Sequence, residues 1–337
     1  MPSRRYMDPL THSATGIFLG RAGLNRFCEQ APWILLLAAN APDIDIVTLF
    51  GGSLSYLHYH RHLTHSLAAL PVMALLPVLL VRLFTRKPFR WRAAYGISFV
   101  AVVSHLLLDY TNIYGIRFLL PFSQRWFRLD LTPVVDLWIW AALLLALAGP
   151  LLVRLVNAEI GSRTGHAGRG FAIFALLFLL AYNAGRAVLH ARAVTTMDSR
   201  IYAGVAPLRV AALPGPWSPL AWHGLAETRE FYSVQDFSLL EEFDPSRGTT
   251  FYKAEPGPAT AAANRTAVFR DFFDFSQFPL ERIMPAREPE GATRVEAMDM
   301  RFGTPTEPVF VATAIVSNRF EVLQSWFSII SGALRPR

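Results

Sequence analysis

Four of the nine histidines in this 337-residue chain fall within eight positions, at His58, His60, His62 and His65. They stand directly before an apolar run at residues 67–83. Imidazoles removed from water there must be hydrogen-bonded or bound to a metal. Three further polar islands interrupt apolar sequence: Asp8-Pro9-Leu10-Thr11-His12, Asn40-Ala41-Pro42-Asp43-Ile44-Asp45 and Ser104-His105-Leu106-Leu107-Leu108-Asp109. His105 and Asp109 are spaced i, i+4, which on a helix puts them one turn apart on one face, as suits two ligands of one ion. Asp43 and Asp45 flank a single residue. In extended backbone both would point the same way and could reach one or two cations. Each island alone has a plainer explanation. His105 and Asp109 can be a hydrogen-bonded helix end, the aspartates a turn after Pro42, and the histidines a solvated interfacial loop.

Taken together, the islands read as one metal site at a membrane surface. Histidine and aspartate donors without thiolate suit zinc, with manganese or iron as alternatives, and more than four candidates leave room for two ions. The expected ligands are His12, Asp43, Asp45, His60, His65, His105 and Asp109. A divalent ion held there would bring the pKa of bound water to about 7 and polarise a phosphoryl or carbonyl oxygen. Arg61 and Thr64, bracketed by His60 and His65, are the candidate catalytic side chains, with Arg61 placed to neutralise developing negative charge.

The elements that must position these residues are read from composition and hydropathy. The chain is 53% hydrophobic and only 17% charged, fewer charges than an average soluble domain carries. The shortage is confined to residues 1–192, read as a polytopic transmembrane helical domain. Residues 15–24 and 33–39 are apolar but shorter than the roughly 20 residues of a spanning helix, and read as a hairpin or as half-membrane helices. Residues 67–84, 93–108, 134–156 and 171–189 read as spanning helices, the first kinked by Pro71 and Pro77. No cleavable signal peptide is expected, because the N-terminus is polar and the first strong apolar run lacks a small-residue cleavage site. The net charge of +7 sits largely in short loops, notably Arg82, Arg86, Lys87, Arg90 and Arg92. That pattern fits membrane topology and not nucleic-acid binding. With that loop and the basic stretch 154–169 in the cytoplasm, the polar islands and the C-terminal domain fall outside. Arg4, Arg5 and Arg21 weaken the same argument for the N-terminus. The single cysteine, Cys28, excludes an internal disulfide framework and a thiolate zinc site.

Residues 193–337 change character. Turns at Pro207, Pro214-Gly215-Pro216, Pro256-Gly257-Pro258 and Gly303 separate runs of β-formers at 230–234, 249–252, 294–298 and 309–316, read as strands of a soluble β-rich (α+β) domain. Residues 267–278, with five phenylalanines, read as a helix packed on it. The fold class is therefore mainly α, with a helical membrane domain and a β-rich tail.

Residues 7–190 resemble the bacterial membrane-bound metal-dependent hydrolases of the YdjM and YbcI type. The resemblance rests on Thr11-His12 followed by Gly16, on Ala41-Pro42-Asp43-Ile44-Asp45, on His60-Arg61-His62-Leu63-Thr64-His65-Ser66, and on His105-Leu106-Leu107-Leu108-Asp109 continuing into Thr111, Tyr114-Gly115 and Pro121-Phe122. Their order and combination carry it. His62 departs from the pattern, which usually has a small residue there; the extra imidazole is a further ligand or a source of crowding. The resemblance implies an integral inner-membrane protein with a metal centre at these positions. The expected activity is hydrolysis of an ester or phosphoester, in a membrane lipid or envelope component. Two other classes stay open: an ion or proton pathway, and a non-catalytic scaffold whose tail binds a partner. Clustering of the ligands at one membrane face speaks for chemistry over permeation.

Overall fold

The computed structural model describes residues 8–160 and 167–330. Arg4, Arg5 and positions 161–166 of the basic stretch lie outside the described residues.

The N-terminal part is helical. Helix α1 (Pro9–Ala22) is capped by Asp8, whose carboxylate accepts the Thr11 N–H at 3.2 Å and the Thr11 hydroxyl. Pro9 opens the first turn, where its missing N–H is not needed. Helix α2 (Ala31–Ala38) lies close against α1. A Cβ on Gly16 would stand 2.6 Å from the Leu35 carbonyl oxygen, so only glycine allows this approach. A run of 3-10 turns (Pro42–Gly51), helix α3 (Ser53–Tyr59) and a single 3-10 turn (Leu63–His65) follow. Then come the longer helices α4 (Leu70–Phe84), α5 (Trp91–Thr111), α6 (Leu137–Ile160) and α7 (Ala167–Asp198).

Among the described residues, three helices are long and apolar enough to cross a membrane: Trp91–Thr111, Leu137–Glu159 and Gly168–Asp198. The segment at 67–84, expected to span alone, is shorter. Its helix has 15 residues, about 22 Å at 1.5 Å per residue, against a hydrocarbon core of roughly 30 Å. Residues 67–69 are spent in turns and Pro71 sits in the first helical turn, so the helix starts late. It reaches spanning length only together with Ser53–His65 across a 91° bend, as α2 does with Pro42–Gly51 across 52°. Counting each bent pair as one span gives up to five. Two apolar cores hold the helices. One joins α2, α4 and α5 through Ile34, Leu35, Ala74, Val78, Ala101 and Val102. The other joins α1, α6 and α7 through Phe18, Leu143, Ala146, Ala172 and Ala175.

The C-terminal part is β-rich. Strands β1 (Arg209–Pro214), β2 (Ala221–Glu227), β3 (Phe231–Ser238) and β4 (Thr249–Tyr252) form one antiparallel sheet in sequence order. Strands β5 (Pro279–Pro285), β6 (Thr293–Asp299), β7 (Val309–Val316) and β8 (Val322–Ile330) form a second, also in order. Such meanders need only local turns; those from β1 to β2 and from β5 to β6 contain proline and glycine, and those at 228–230 and 317–321 contain neither. Helices α8 (Pro258–Asn264) and α9 (Ala267–Phe275) pack on the second sheet. Val268, Phe269, Phe272 and Phe275 form the buried face of α9, an i, i+1, i+4, i+7 stripe.

The chain divides into two units. One comprises residues 1–45, 61–191 and 214–220, the other 46–60, 192–213 and 221–337. Residues 46–60 therefore pack with the β-rich part, although their sequence neighbours are membrane helices. Ser53 Oγ donates to the Phe327 carbonyl at 2.9 Å, and His58 Nδ1 lies 3.1 Å from Asp271 Oδ1.

Candidate metal centre

Three chain segments in the helical unit bring Asp43, His65, His105 and Asp109 together. Asp43 comes from the first 3-10 turn after Pro42, His65 from the turn at Leu63–His65, and His105 and Asp109 from consecutive turns near the C-terminal end of α5. All four are buried, and one ligand atom from each lies within 4.8 Å of the others. His65 Nε2 is 3.2 Å from His105 Nε2, 3.5 Å from Asp43 Oδ1 and 3.2 Å from Asp109 Oδ2. His105 Nε2 is 3.6 Å from Asp43 Oδ1 and 3.2 Å from Asp109 Oδ2.

The hydrogen bonds behind these rings decide what the facing atoms are. His105 Nδ1 lies 2.8 Å from the Ala39 carbonyl, which can only accept, so Nδ1 carries a proton and, in the neutral ring, Nε2 presents a lone pair. His65 Nδ1 lies 3.0 Å from Thr64 Oγ1 and 3.4 Å from Asp45 Oδ2, the same backing from the other side. Both Asp43 oxygens and Asp109 Oδ2 are buried without a hydrogen-bond partner. With both rings neutral and protonated on Nδ1, four electron-rich atoms converge there. Such an arrangement is strongly unfavourable unless a cation sits at its centre. Metal bonds of about 2.0–2.2 Å to imidazole nitrogen and carboxylate oxygen give tetrahedral edges of about 3.3–3.6 Å. The five separations above run from 3.2 to 3.6 Å. The four residues fit a divalent ion.

The other residues singled out from the sequence take different places. Asp45 stands behind His65: its Oδ2 accepts the Arg61 backbone N–H at 2.8 Å and the Thr64 hydroxyl at 3.2 Å. Thr64 thereby ties Asp45 to His65 and does not itself join the four. His12 stacks on His105 with ring centroids 3.9 Å apart, and its Nε2 is 3.5 Å from Asp109 Oδ1. His60 stacks on Tyr56 at 4.5 Å, and half-buried His62 is also outside the four. Arg61 is 3% exposed and donates from Nη2 to Asp109 Oδ1 at 2.7 Å. Its φ of 55° is a left-handed conformation that costs a non-glycine residue about 1–3 kcal/mol. The bond from its N–H to Asp45 holds it there.

Asn112 and Tyr114 were not singled out as functional from the sequence. Asn112 Oδ1 accepts from Arg61 Nη1 at 2.9 Å, and the Arg61 guanidinium lies 4.9 Å over the Tyr114 ring. Tyr114 and Gly115 belong to the motif quoted above; nothing in the sequence marks Asn112 beyond its place three residues after Asp109. Beside the cluster is a cavity of about 30 Å³, lined among others by His12, Arg61, Asp109, Asn112, Thr132 and Asp136. It is polar and large enough for water.

Residues 7–193 match the family described as YdjM inner membrane protein. The chain is also similar to a protein of Bacillus subtilis (strain 168) described as uncharacterized protein YfhP. The two are 32% identical over 151 residues, covering 42% of this chain and 46% of that protein. No solved structure matches.

Proposed function

The chain belongs to the YdjM inner membrane protein family, and from that premise we propose that it is a membrane-embedded metal-dependent hydrolase. Its substrate is an ester or phosphoester of a lipid or envelope component. The observation that carries this reading is the convergence of the buried ligand atoms of Asp43, His65, His105 and Asp109. They would hold the ion, with zinc favoured by the donor set and the short edges, and manganese or iron as alternatives. A bound divalent ion supplies Lewis acidity, polarising a substrate oxygen and making a nearby water more acidic.

The chain's own residues do the rest. Ala39 and Asp45 orient the two imidazoles, as partners behind a metal ligand do. Thr64 fixes Asp45. Arg61 keeps its guanidinium at the wall of the cavity that also borders Asp109, where it meets negative charge building on a substrate oxygen. Hydrolysis is favoured over transport because His105 and Asp109 lie in the last two turns of α5 and not along its length. We place the site and the β-rich part on the extracytoplasmic side, on the strength of the basic segment holding Arg82, Arg86, Lys87, Arg90 and Arg92.

The test uses the full chain in detergent micelles, stripped with chelator and resupplied with zinc, manganese or iron. Lipid phosphoesters and carboxylesters are offered as substrates. The reading expects turnover that depends on the added metal and is absent from Asp43→Ala. Turnover indifferent to chelation, or equal in that variant, would refute it.

A further inference from the structure

A carboxylate that bridges two metal ions through its separate oxygens gives one to each. In Asp109 only Oδ2 faces the other three donors. Oδ1 receives Arg61 Nη2 at 2.7 Å. Asn112 Nδ2 lies 3.4 Å from the same oxygen and His12 Nε2 3.5 Å from it.

Arg61 is anchored at both ends. Nη1 donates to Asn112 Oδ1 at 2.9 Å and to the Gly115 carbonyl at 3.4 Å. The Tyr114 ring covers its face at 4.9 Å, and the backbone N–H is bound to Asp45 at 2.8 Å. A guanidinium cannot be a ligand, because it stays protonated and has no acceptor. It does place a positive charge where a second ion would bring one.

The other carboxylate nearby leads to the same place. Asp45 Oδ2 is taken by Arg61 N–H, the Thr64 hydroxyl and the His65 ring. Asp43, whose two oxygens lack hydrogen-bond partners, can offer both to a single ion. We propose that Arg61 occupies the position of a second cation, so that the centre takes one metal ion per chain. The fixed charge beside that ion is a guanidinium, a planar donor matched to the paired oxygens of a carboxylate or phosphoryl group.

This inference rests on the metal-centre reading above, and its test separates the two. Full-length protein in detergent is stripped, saturated with Mn²⁺ and washed. Bound manganese per chain is measured by elemental analysis and its electron paramagnetic resonance spectrum recorded. One ion per chain with the hyperfine pattern of an isolated Mn²⁺ is expected. Two ions with an exchange-coupled spectrum would overturn the inference and leave the metal centre standing. No bound ion in excess of Asp43→Ala would overturn both. In Arg61→Ala, which uncovers Asp109 Oδ1, bound manganese should rise above one per chain. An unchanged single ion in that variant would show that the guanidinium does not set the count. Should the variant fail to fold, the wild-type stoichiometry and spectrum still decide.

Discussion

Asp43 and Asp45 are one residue apart yet do different things. The extended backbone expected from the sequence would send both side chains the same way. The structure turns there in a 3-10 run beginning at Pro42, which sends Asp43 into the cluster and Asp45 behind His65. Between His60 and the turn at Leu63–His65 the backbone departs from any regular element, with Arg61 at a positive φ. A count of histidines cannot show such a conformation, whereas the His105–Asp109 spacing carries its geometry with it once α5 is a helix. The residue-scale prediction follows from these separate places. Asp45→Ala should weaken metal affinity by about 10–100-fold, as loss of a group behind a ligand does, while Asp43→Ala should abolish retention. Competition against a chelator of known affinity measures both. Equal loss in the two variants would mean that Asp45 binds the ion directly.

Among the described strands, β3, β4, β6 and β7 were legible, while β1, β2, β5 and β8 were not. Val309–Val316 and Thr249–Tyr252 alternate or cluster as strands should. Arg209–Pro214 and Pro279–Pro285 carry proline at their ends and charge or alanine within, so only their sheet partners define them. The start of β5 and the end of β6 are joined by Asp299, which accepts the Gln277 N–H at 2.9 Å and pairs with Arg301 Nη2 at 2.7 Å. Burial alone would raise the Asp299 pKa, but the Arg301 charge and the N–H donors outweigh it and hold the carboxyl below its ordinary range. The sign follows from that lowering. The folded form favours the ionised group, so this stabilisation is complete above the unfolded value near about 4 and is lost as pH falls through the lower folded value. Acid unfolding of the β-rich part, followed by tryptophan fluorescence, should therefore be steeper in wild type than in Asp299→Asn. At neutral pH Asp299→Ala should cost about 3–5 kcal/mol, because it removes the carboxylate that pairs with a buried guanidinium. A loss under about 1 kcal/mol would show that Arg301 finds another partner.

For the whole molecule, the division into an apolar helical part and a β-rich part was legible from hydropathy and turn residues, but the placement of residues 46–60 with the second unit was not. That segment owes its place to bonds such as Ser53 to Phe327, far apart in sequence. Orientation is a whole-molecule property and has its own test. In a Cys28→Ser background, a cysteine near Lys87 should resist an impermeant thiol reagent added to intact cells, and one near Gly257 should react. The reverse pattern would place the site in the cytoplasm and direct the search to cytosolic esters. The central claim is that the four buried donors hold a metal ion, and metal content tests it most directly. Elemental analysis of detergent-purified wild type should find a tightly held divalent transition metal. His105→Ala and Asp109→Ala should each lose it while still inserting in the membrane, since either change makes α5 more apolar. Full occupancy in both variants, or wild type devoid of metal after purification without chelator and after resupply, would contradict the account.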